Sequence, residues 1–139
     1  MKLNKYKTQF QINLTASQYH QKIGTLIKGV DSLRNLHWYQ EVPVQVLVPS
    51  YYSTLHRVDW YCETLGLVLE IHGEQHYRIV NFGSIAAEDA LINFNNGQSR
   101  DNQKRYALEE AGYVYKIIDY KKIRTLDITN FEQFVFGSL

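Results

Sequence analysis

Two short apolar segments carry the acidic residues that are best placed to do chemistry. The segments are Arg57–Cys62 and Leu67–His72, and polar and apolar residues alternate along them as in β-strands. If residues 63–66 form a tight reversal, Asp59 lies directly opposite Glu70 in an antiparallel hairpin. Opposed side chains have Cβ atoms about 4.5–5.5 Å apart, so two carboxylates repel unless a cation lies between them. The spacing therefore predicts a divalent metal site held by Asp59 and Glu70.

Magnesium, or manganese in its place, suits such a site because it prefers oxygen ligands and accepts one or two carboxylates together with water and phosphate. A bound ion of this kind polarises a phosphate and lowers the pKa of a bound water. His72 shares the face of Glu70 and could orient or deprotonate that water, and His76 could reach over from the following turn. In the alternative interpretation, Asp59 pairs with Arg57, and Glu70 and His72 are ordinary polar residues of a strand.

Ligands for softer metals are scarce in the sequence. Cys62 is the only cysteine, which excludes an intrachain disulfide and any multi-cysteine zinc or iron–sulfur site. His72 and His76 have the four-residue spacing of a zinc-binding helix, but they follow a strand and Gly73, so we do not expect zinc there. The other histidines are expected at the surface or in hydrogen bonds: His20, His37 and His56.

Charge is balanced overall but is segregated along the chain. The 139 residues include 15 basic and 14 acidic side chains, and 45% of the residues are hydrophobic, which fits one domain covering residues 1–139. Residues 1–30 contain lysines and no acid, whereas residues 59–74 contain acids and no lysine or arginine. A basic arm beside an acidic pocket suits an enzyme that acts on a polyanion. Lysines near a terminus are equally compatible with a merely solvated segment.

The sequence also indicates where the protein works. Residues 1–14 lack the apolar core of a signal peptide, and no later apolar run is long enough to span a membrane. Together with the single cysteine, these features predict a soluble protein of a reducing, cytoplasmic compartment.

Hydrophobic spacing predicts the order α-β-β-β-α-β-α. The first helix is expected after a cap at Thr15 or Ser17 and ends near residues 29–31. Gly73–Gln98 is a long polar stretch with a short helix at Ala86–Ile92. The remaining elements are strands at Trp38–Val48, Arg57–Cys62, Leu67–His72 and Tyr113–Asp119, a helix from Ser99 to Gly112, and a last helix that opens at Asp127 or Thr129. A hairpin followed by a helical crossover implies a mixed sheet covered by helices.

This pattern resembles the PD-(D/E)xK nuclease superfamily, in the branch similar to very-short-patch-repair endonucleases and the phage homing endonucleases related to them. The resemblance covers about residues 38–120 and is strongest in the run Glu70–His76. It implies a restriction-endonuclease-like αβββαβ core, with a mixed four-stranded sheet flanked by helices and an extra C-terminal helix. The other matching residues are Arg57–Tyr61, Leu67–Leu69, Arg100, Asp101, Lys104, Gly112 and Tyr113.

The resemblance implies that Asp59 is the central metal acid, Glu70 a second one, and His72 and His76 active-site histidines, with Gln75 lining the pocket. The superfamily usually has a lysine at the position of His72. Many members also have a glutamate on the first helix, and this chain has no acid before Asp31. The residues that would have to replace that glutamate are Gln18, His20 or Gln21.

Basic residues are expected to contact a DNA backbone. If a helix begins at Ser99, its N-terminus and the cations of its first turns could hold a phosphate near the metal. Alternatively, Asp101 pairs with Arg105 at helical spacing and the group is a solvated face. The predicted DNA-binding residues are Lys5, Lys7, Lys22, Arg57, Arg100, Lys104 and Arg105.

The expected function is that of a Mg²⁺-dependent or Mn²⁺-dependent endonuclease that hydrolyses DNA phosphodiesters. One site is sufficient for a nick, whereas cleavage of both strands would need a homodimer. The first alternative is a catalytically impaired nuclease-fold module that only binds DNA. The second is an interaction protein that uses its tyrosines at a protein interface.

Overall fold

The computed structural model describes residues 2–77 and 87–137, apart from the side chain of Gln75, and it is an α/β structure built on one mixed sheet. The four strands lie in the order β1-β2-β3-β4. β1 pairs with β2 and β2 with β3 in antiparallel fashion, whereas β3 and β4 are parallel. The strands are β1 (Trp38–Pro43), β2 (Arg57–Cys62), β3 (Leu67–His72) and β4 (Val114–Asp119).

Helices cover both faces of this sheet. A single 3₁₀ turn, Glu74–His76, follows β3. The helices are α1 (Gln18–Gly29), α2 (Asp31–Arg34), α3 (Val44–Leu47), α4 (Ala87–Glu110), α5 (Tyr120–Thr125) and α6 (Phe131–Phe136). None of the helices in the described residues is both long and apolar enough to cross a membrane.

The hairpin of β2 and β3 has the predicted bounds and register. Trp60 pairs with Leu69, and Cys62 with Leu67, which is the pairing that places Asp59 beside Glu70. The prediction succeeded because a slip of one residue would have exchanged the two faces of each strand.

Both faces of the hairpin are nevertheless buried, which corrects the expectation of one polar face. Trp60 and Leu69 belong to a core that packs against α1, α2, α5 and α6. Tyr61 and Val68, on the opposite face, belong to a second core with residues of α3 and α4. Glu70 and His72, which lie on that face, are therefore enclosed by α4 rather than open to water.

In the described residues, side-chain caps mark the starts of two helices, of which only α1 was predicted. Ser17 begins α1 as expected, since its Oγ accepts a hydrogen bond of 3.1 Å from the His20 N–H. The last helix begins at Phe131, later than predicted, because Asp127 and Asn130 first form a hydrogen-bonded turn. Helix α5 was not predicted, and its cap is Asp119, whose Oδ1 accepts a hydrogen bond from Lys122 N–H.

Two predicted boundaries are wrong. β1 ends at Pro43, five residues earlier than expected, because the chain turns there into the short helix α3. The helix that we expected to begin at Ser99 already begins at Ala87, so the short helix predicted around residue 90 is its first part. Residues 78–86 of the predicted polar stretch lie outside the described residues.

Candidate active site

A polar cavity of about 610 Å³ lies where β3 and β4 end, at the edge of the sheet next to α1. The carboxyl ends of parallel strands are a common place for ligand sites in α/β folds. Among its walls are the acids Glu41, Asp59 and Glu74 and the histidines His20 and His76. The remaining lining residues are Thr15, Ala16, Ser17, Tyr19, Ile71, Gly73, Tyr120 and Arg124.

Asp59 is the acid at the bottom of this cavity. Its side chain is 32% exposed, and its Oδ2 accepts a hydrogen bond of 2.7 Å from the backbone N–H of Ile71. Burial alone would raise the pKa of Asp59, but the neighbouring His20, Glu70 and the Ile71 N–H outweigh it and hold the pKa below its ordinary value. Asp59 is therefore an anion that faces the cavity.

The backbone opposite Asp59 is strained. Glu41 has a φ of 50°, in the left-handed region that side chains other than glycine rarely adopt. It lies between two regular strand pairs, Gln40 with Trp60 and Val42 with Val58. Strained residues of this kind often lie at functional sites, and Glu41 lines the same cavity.

Glu70 lies behind Asp59 and is 3% exposed. Burial, followed by the nearby charge of Asp59, raises the pKa of Glu70 well above its ordinary value. The Nζ of Lys104 opposes this shift by donating a hydrogen bond of 3.0 Å to Glu70 Oε1. The hairpin and α4 thus bring two carboxyl groups and one ammonium together, and the two carboxyls are the neighbours that the sequence predicted.

Lys104 occupies a different place from the one that we expected. It is 7% exposed, and it donates a second hydrogen bond of 3.0 Å to the carbonyl of Arg57, so it is not a surface lysine. The sequence contained a signal for this position, because Lys104 lies four residues before the buried Leu108 and therefore on the inner face of α4.

His20 lies at the site. It is one of the three first-helix residues that the sequence offered in place of a glutamate. Its ring is buried, and Nε2 lies 2.9 Å from Gln40 Oε1. The Gln40 amide nitrogen donates to the carbonyls of Thr8 and Gln11, so its oxygen must face His20 and accept a hydrogen bond from Nε2. This leaves Nδ1 directed at Asp59, 3.9 Å from Oδ1.

The three residues considered in place of a first-helix acid therefore differ in their surroundings. His20 lines the cavity, whereas Gln18 is exposed and Gln21 donates to the carbonyl of Ala16. Burial lowers the pKa of His20, but Asp59 and Gln40 outweigh it and raise the pKa above its ordinary value.

His72, His76 and Asp101 form a second polar cluster. The two imidazole rings are stacked with centroids 4.1 Å apart, although the sequence did not lead us to expect them on one face. His76 Nδ1 lies 2.6 Å from Asp101 Oδ2, and His72 Nε2 lies 4.0 Å from the same oxygen.

Burial and His76 lower the pKa of His72 to about 4. Burial would raise the pKa of Asp101, but its hydrogen bond to His76 holds the pKa below its ordinary value. The side chain of Gln75 lies outside the described residues.

The predicted phosphate site at the start of a helix is wrong in its location. Residues 99–105 lie inside α4, where backbone N–H groups are already used by the helix. Arg105 is exposed and pairs with Glu109 at 2.7 Å rather than with Asp101. Arg100, on the same helix, is exposed.

The other basic residues are distributed over several surfaces. Lys5 and Lys7 are exposed, and Arg57 is exposed and donates to the Glu41 carbonyl at 3.2 Å. Lys22 instead donates to the carbonyl of Ile123 at 2.6 Å, which ties α1 to α5.

Arg124 is a cation of the cavity that the sequence did not indicate. Its Nε donates a hydrogen bond of 3.2 Å to the Tyr19 hydroxyl, and its guanidinium lies 5.4 Å from the ring centroid of Tyr120. Sequence reasoning missed it because α5, which carries it, was not predicted.

Comparison of the sequence with models of known protein families gave no match, and comparison with curated proteins gave no significant match.

Proposed function

We propose that the protein is a metal-dependent DNA endonuclease with a restriction-endonuclease-like core. The observation that carries this proposal is the group formed by Asp59, Glu70 and Lys104 at the edge of a polar cavity. Two neighbouring carboxyls that a single lysine partly compensates form an oxygen-rich anionic site of the kind that Mg²⁺ or Mn²⁺ binds.

Asp59 and Glu70 are the residues that would hold the ion. Their chemistry fits a hard divalent cation, because both offer carboxylate oxygens and the charge of Asp59 disfavours that of Glu70. When bound, such an ion would polarise the scissile phosphate and lower the pKa of a coordinated water.

His76 is the proposed proton acceptor. Because the pKa of Asp101 is lowered, its carboxylate accepts the hydrogen bond of 2.6 Å and His76 Nδ1 donates it. Nε2 of His76 is then the basic nitrogen, and His76 lines the cavity in which a water would have to lie. Asp101 acts as a positioning residue, since it fixes the ring and its tautomer.

Arg124 is the proposed phosphate contact. It lines the cavity, and its hydrogen bond to Tyr19 and its position beside Tyr120 hold the guanidinium near the cavity wall. A guanidinium can bind a phosphate through two parallel hydrogen bonds. The exposed Lys5, Lys7, Arg57 and Arg100 would add attraction for the backbone that depends on salt concentration.

The test is incubation with linear, nicked, branched and single-stranded DNA in the presence of Mg²⁺ or Mn²⁺. We expect cleavage by the wild type and a loss of at least a hundredfold in Asp59→Asn and Glu70→Gln. Glu63→Gln is the matched control, because Glu63 is an exposed acid at the end of the same hairpin. Nicks alone would indicate that one site acts, and cuts through both strands would indicate a dimer. Equal cleavage by Asp59→Asn and the wild type would contradict the proposal.

One observation favours the alternative of a DNA-binding module without catalysis. The ammonium of Lys104 already occupies one oxygen of Glu70, at 3.0 Å, where a metal would otherwise bind. Calorimetry with Mn²⁺ separates the two functions. The alternative requires that DNA binds, that wild type and Asp59→Asn bind Mn²⁺ with the same heat, and that Asp59→Asn leaves DNA affinity unchanged.

A further inference from the structure

A second set of metal ligands lies behind the cavity, on elements other than β2. His72 is the last residue of β3, His76 ends the 3₁₀ turn, and Asp101 comes from α4. One ligand atom from each lies within 4.8 Å of the other two. Two adjacent segments and the distant helix α4 thus converge on one small volume.

Two of the three side chains have buried atoms without a partner. His72 Nε2 and Asp101 Oδ1 are inaccessible to solvent and make no hydrogen bond among the described residues. The side chain of His72 is 7% exposed and that of Asp101 is 12% exposed. Buried polar atoms are nearly always satisfied, so an additional group is expected between these residues. A metal ion would satisfy both atoms at once, and a water that donates to both is the competing occupant.

We propose that His72, His76 and Asp101 bind a transition-metal ion such as Zn²⁺ or Co²⁺. Two imidazole nitrogens and one carboxylate are a ligand set that suits these metals better than Mg²⁺. Three protein ligands leave a fourth position for water or substrate in a tetrahedral site. That position is reachable from solvent, because His76 lines the open cavity.

The ion would take the place of the proton that His76 Nδ1 shares with Asp101. The distance of 2.6 Å between these atoms is a hydrogen bond, so binding exchanges a proton for a metal. The displaced proton moves to Nε2 of the same ring, so His76 can accept a proton from water only while this site holds no ion. The exchange separates the His76 ring from Asp101. Because the two imidazole rings are stacked nearly in parallel, one of them must also turn so that both nitrogens point at the ion.

This site is distinct from the pair formed by Asp59 and Glu70, which offers oxygen ligands alone. The inference does not depend on nuclease activity, since a protein without any catalysis could bind the ion. The two sites can therefore be tested separately, by variants that remove one and leave the other.

The experiment titrates the metal-free protein with Co²⁺, follows the visible d–d absorption, and repeats the titration with Zn²⁺ by calorimetry. We expect one equivalent of Co²⁺ with a spectrum of nitrogen and oxygen ligands, and competition by Zn²⁺. Asp101→Asn and His76→Gln should each weaken binding at least tenfold. Asp59→Asn and His37→Gln should leave it unchanged, the latter because His37 is an exposed histidine outside the cluster.

Circular dichroism and thermal melting establish that each variant is folded before it is titrated. Asp101→Asn and His76→Gln change different elements, so one folded variant is sufficient for the test. The inference is overturned if the folded wild type takes up no Co²⁺, which is the outcome expected for a bridging water. It is also overturned if Asp59→Asn abolishes binding while Asp101→Asn does not.

Discussion

Replacement of Lys104 by methionine is the sharpest test of the buried charge cluster. The change removes the ammonium that contacts Glu70 and the Arg57 carbonyl, each at 3.0 Å, and keeps most of the volume of the side chain. Glu70 then remains buried beside Asp59 without a cation. Removal of one partner from a buried ion pair costs about 3–5 kcal/mol, and we expect Lys104→Met to fall in this range at pH 7.

The cost of Lys104→Met should increase with pH. The pKa of Glu70 is raised by burial and by Asp59, and Lys104 lowers it. A carboxyl whose folded pKa is raised contributes stability below its unfolded pKa and loses it as the pH rises through the folded pKa. In the variant, the folded pKa of Glu70 is higher than in the wild type. At pH values between these two folded pKa values, the free energy of unfolding of the variant still falls by about 1.4 kcal/mol per pH unit, whereas that of the wild type no longer falls.

A double-mutant cycle isolates the interaction. Urea unfolding is measured for wild type, Lys104→Met, Glu70→Gln and the double variant at pH 6 and pH 8. The double variant should be more stable than the sum of the single changes predicts, by about 2 kcal/mol. Arg105→Ala is the control, because its pair with Glu109 is exposed and should contribute less than about 1 kcal/mol. Additive costs, within about 0.5 kcal/mol, would refute the reasoning.

Three further outcomes follow from packing and burial. Phe131 is fully buried, so Phe131→Ala should lower the free energy of unfolding in urea by about 3–5 kcal/mol, and a loss below about 1 kcal/mol would contradict its place in the core. A Cβ on Gly24 would lie 3.0 Å from the Trp60 ring, so Gly24→Ala should destabilise the protein by about 1–3 kcal/mol. A Cβ on Gly97 would lie 3.7 Å from its nearest neighbour, so Gly97→Ala should stabilise the protein by up to about 1 kcal/mol. Because burial lowers the pKa of His72 to about 4, the folded state resists its protonation, and stability should fall by up to about 3 kcal/mol as the pH drops from about 6.5 to about 4. His72→Gln, compared with wild type in urea at both pH values, should remove that part of the fall.

The central hairpin of the sheet was predictable because the pattern that determines it is local. The hairpin of β2 and β3 has alternating side chains that fix the strands and their register, and Ser17 caps α1 through its own side chain. The extent of α4 was not predictable in this way. Residues 93–98 are mostly polar, so no apolar stripe joins the short helix predicted at Ala86–Ile92 to the helix predicted from Ser99.

The candidate site was predictable only in part, because some of its contacts join segments that are distant in sequence. Asp59 and Glu70 belong to one hairpin, so spacing places them together. The position of His20 depends on Gln40, whose amide is held in turn by the Thr8 and Gln11 carbonyls, and no local pattern contains that chain of contacts. Lys104 was predicted at the surface because lysines are rarely buried. In the structure it is buried because its ammonium has a buried partner, Glu70.

The two charged clusters are joined through a single rigid element. Asp101 and Lys104 lie three residues apart on the inner face of α4, one beside the stacked histidines and the other beside Glu70. At 1.5 Å per residue the 24-residue helix is about 36 Å long, and Ala90 is the one fully buried residue in its first half. Because the helix backbone fixes the spacing of Asp101 and Lys104, a shift of α4 would displace both side chains together and change both clusters at once.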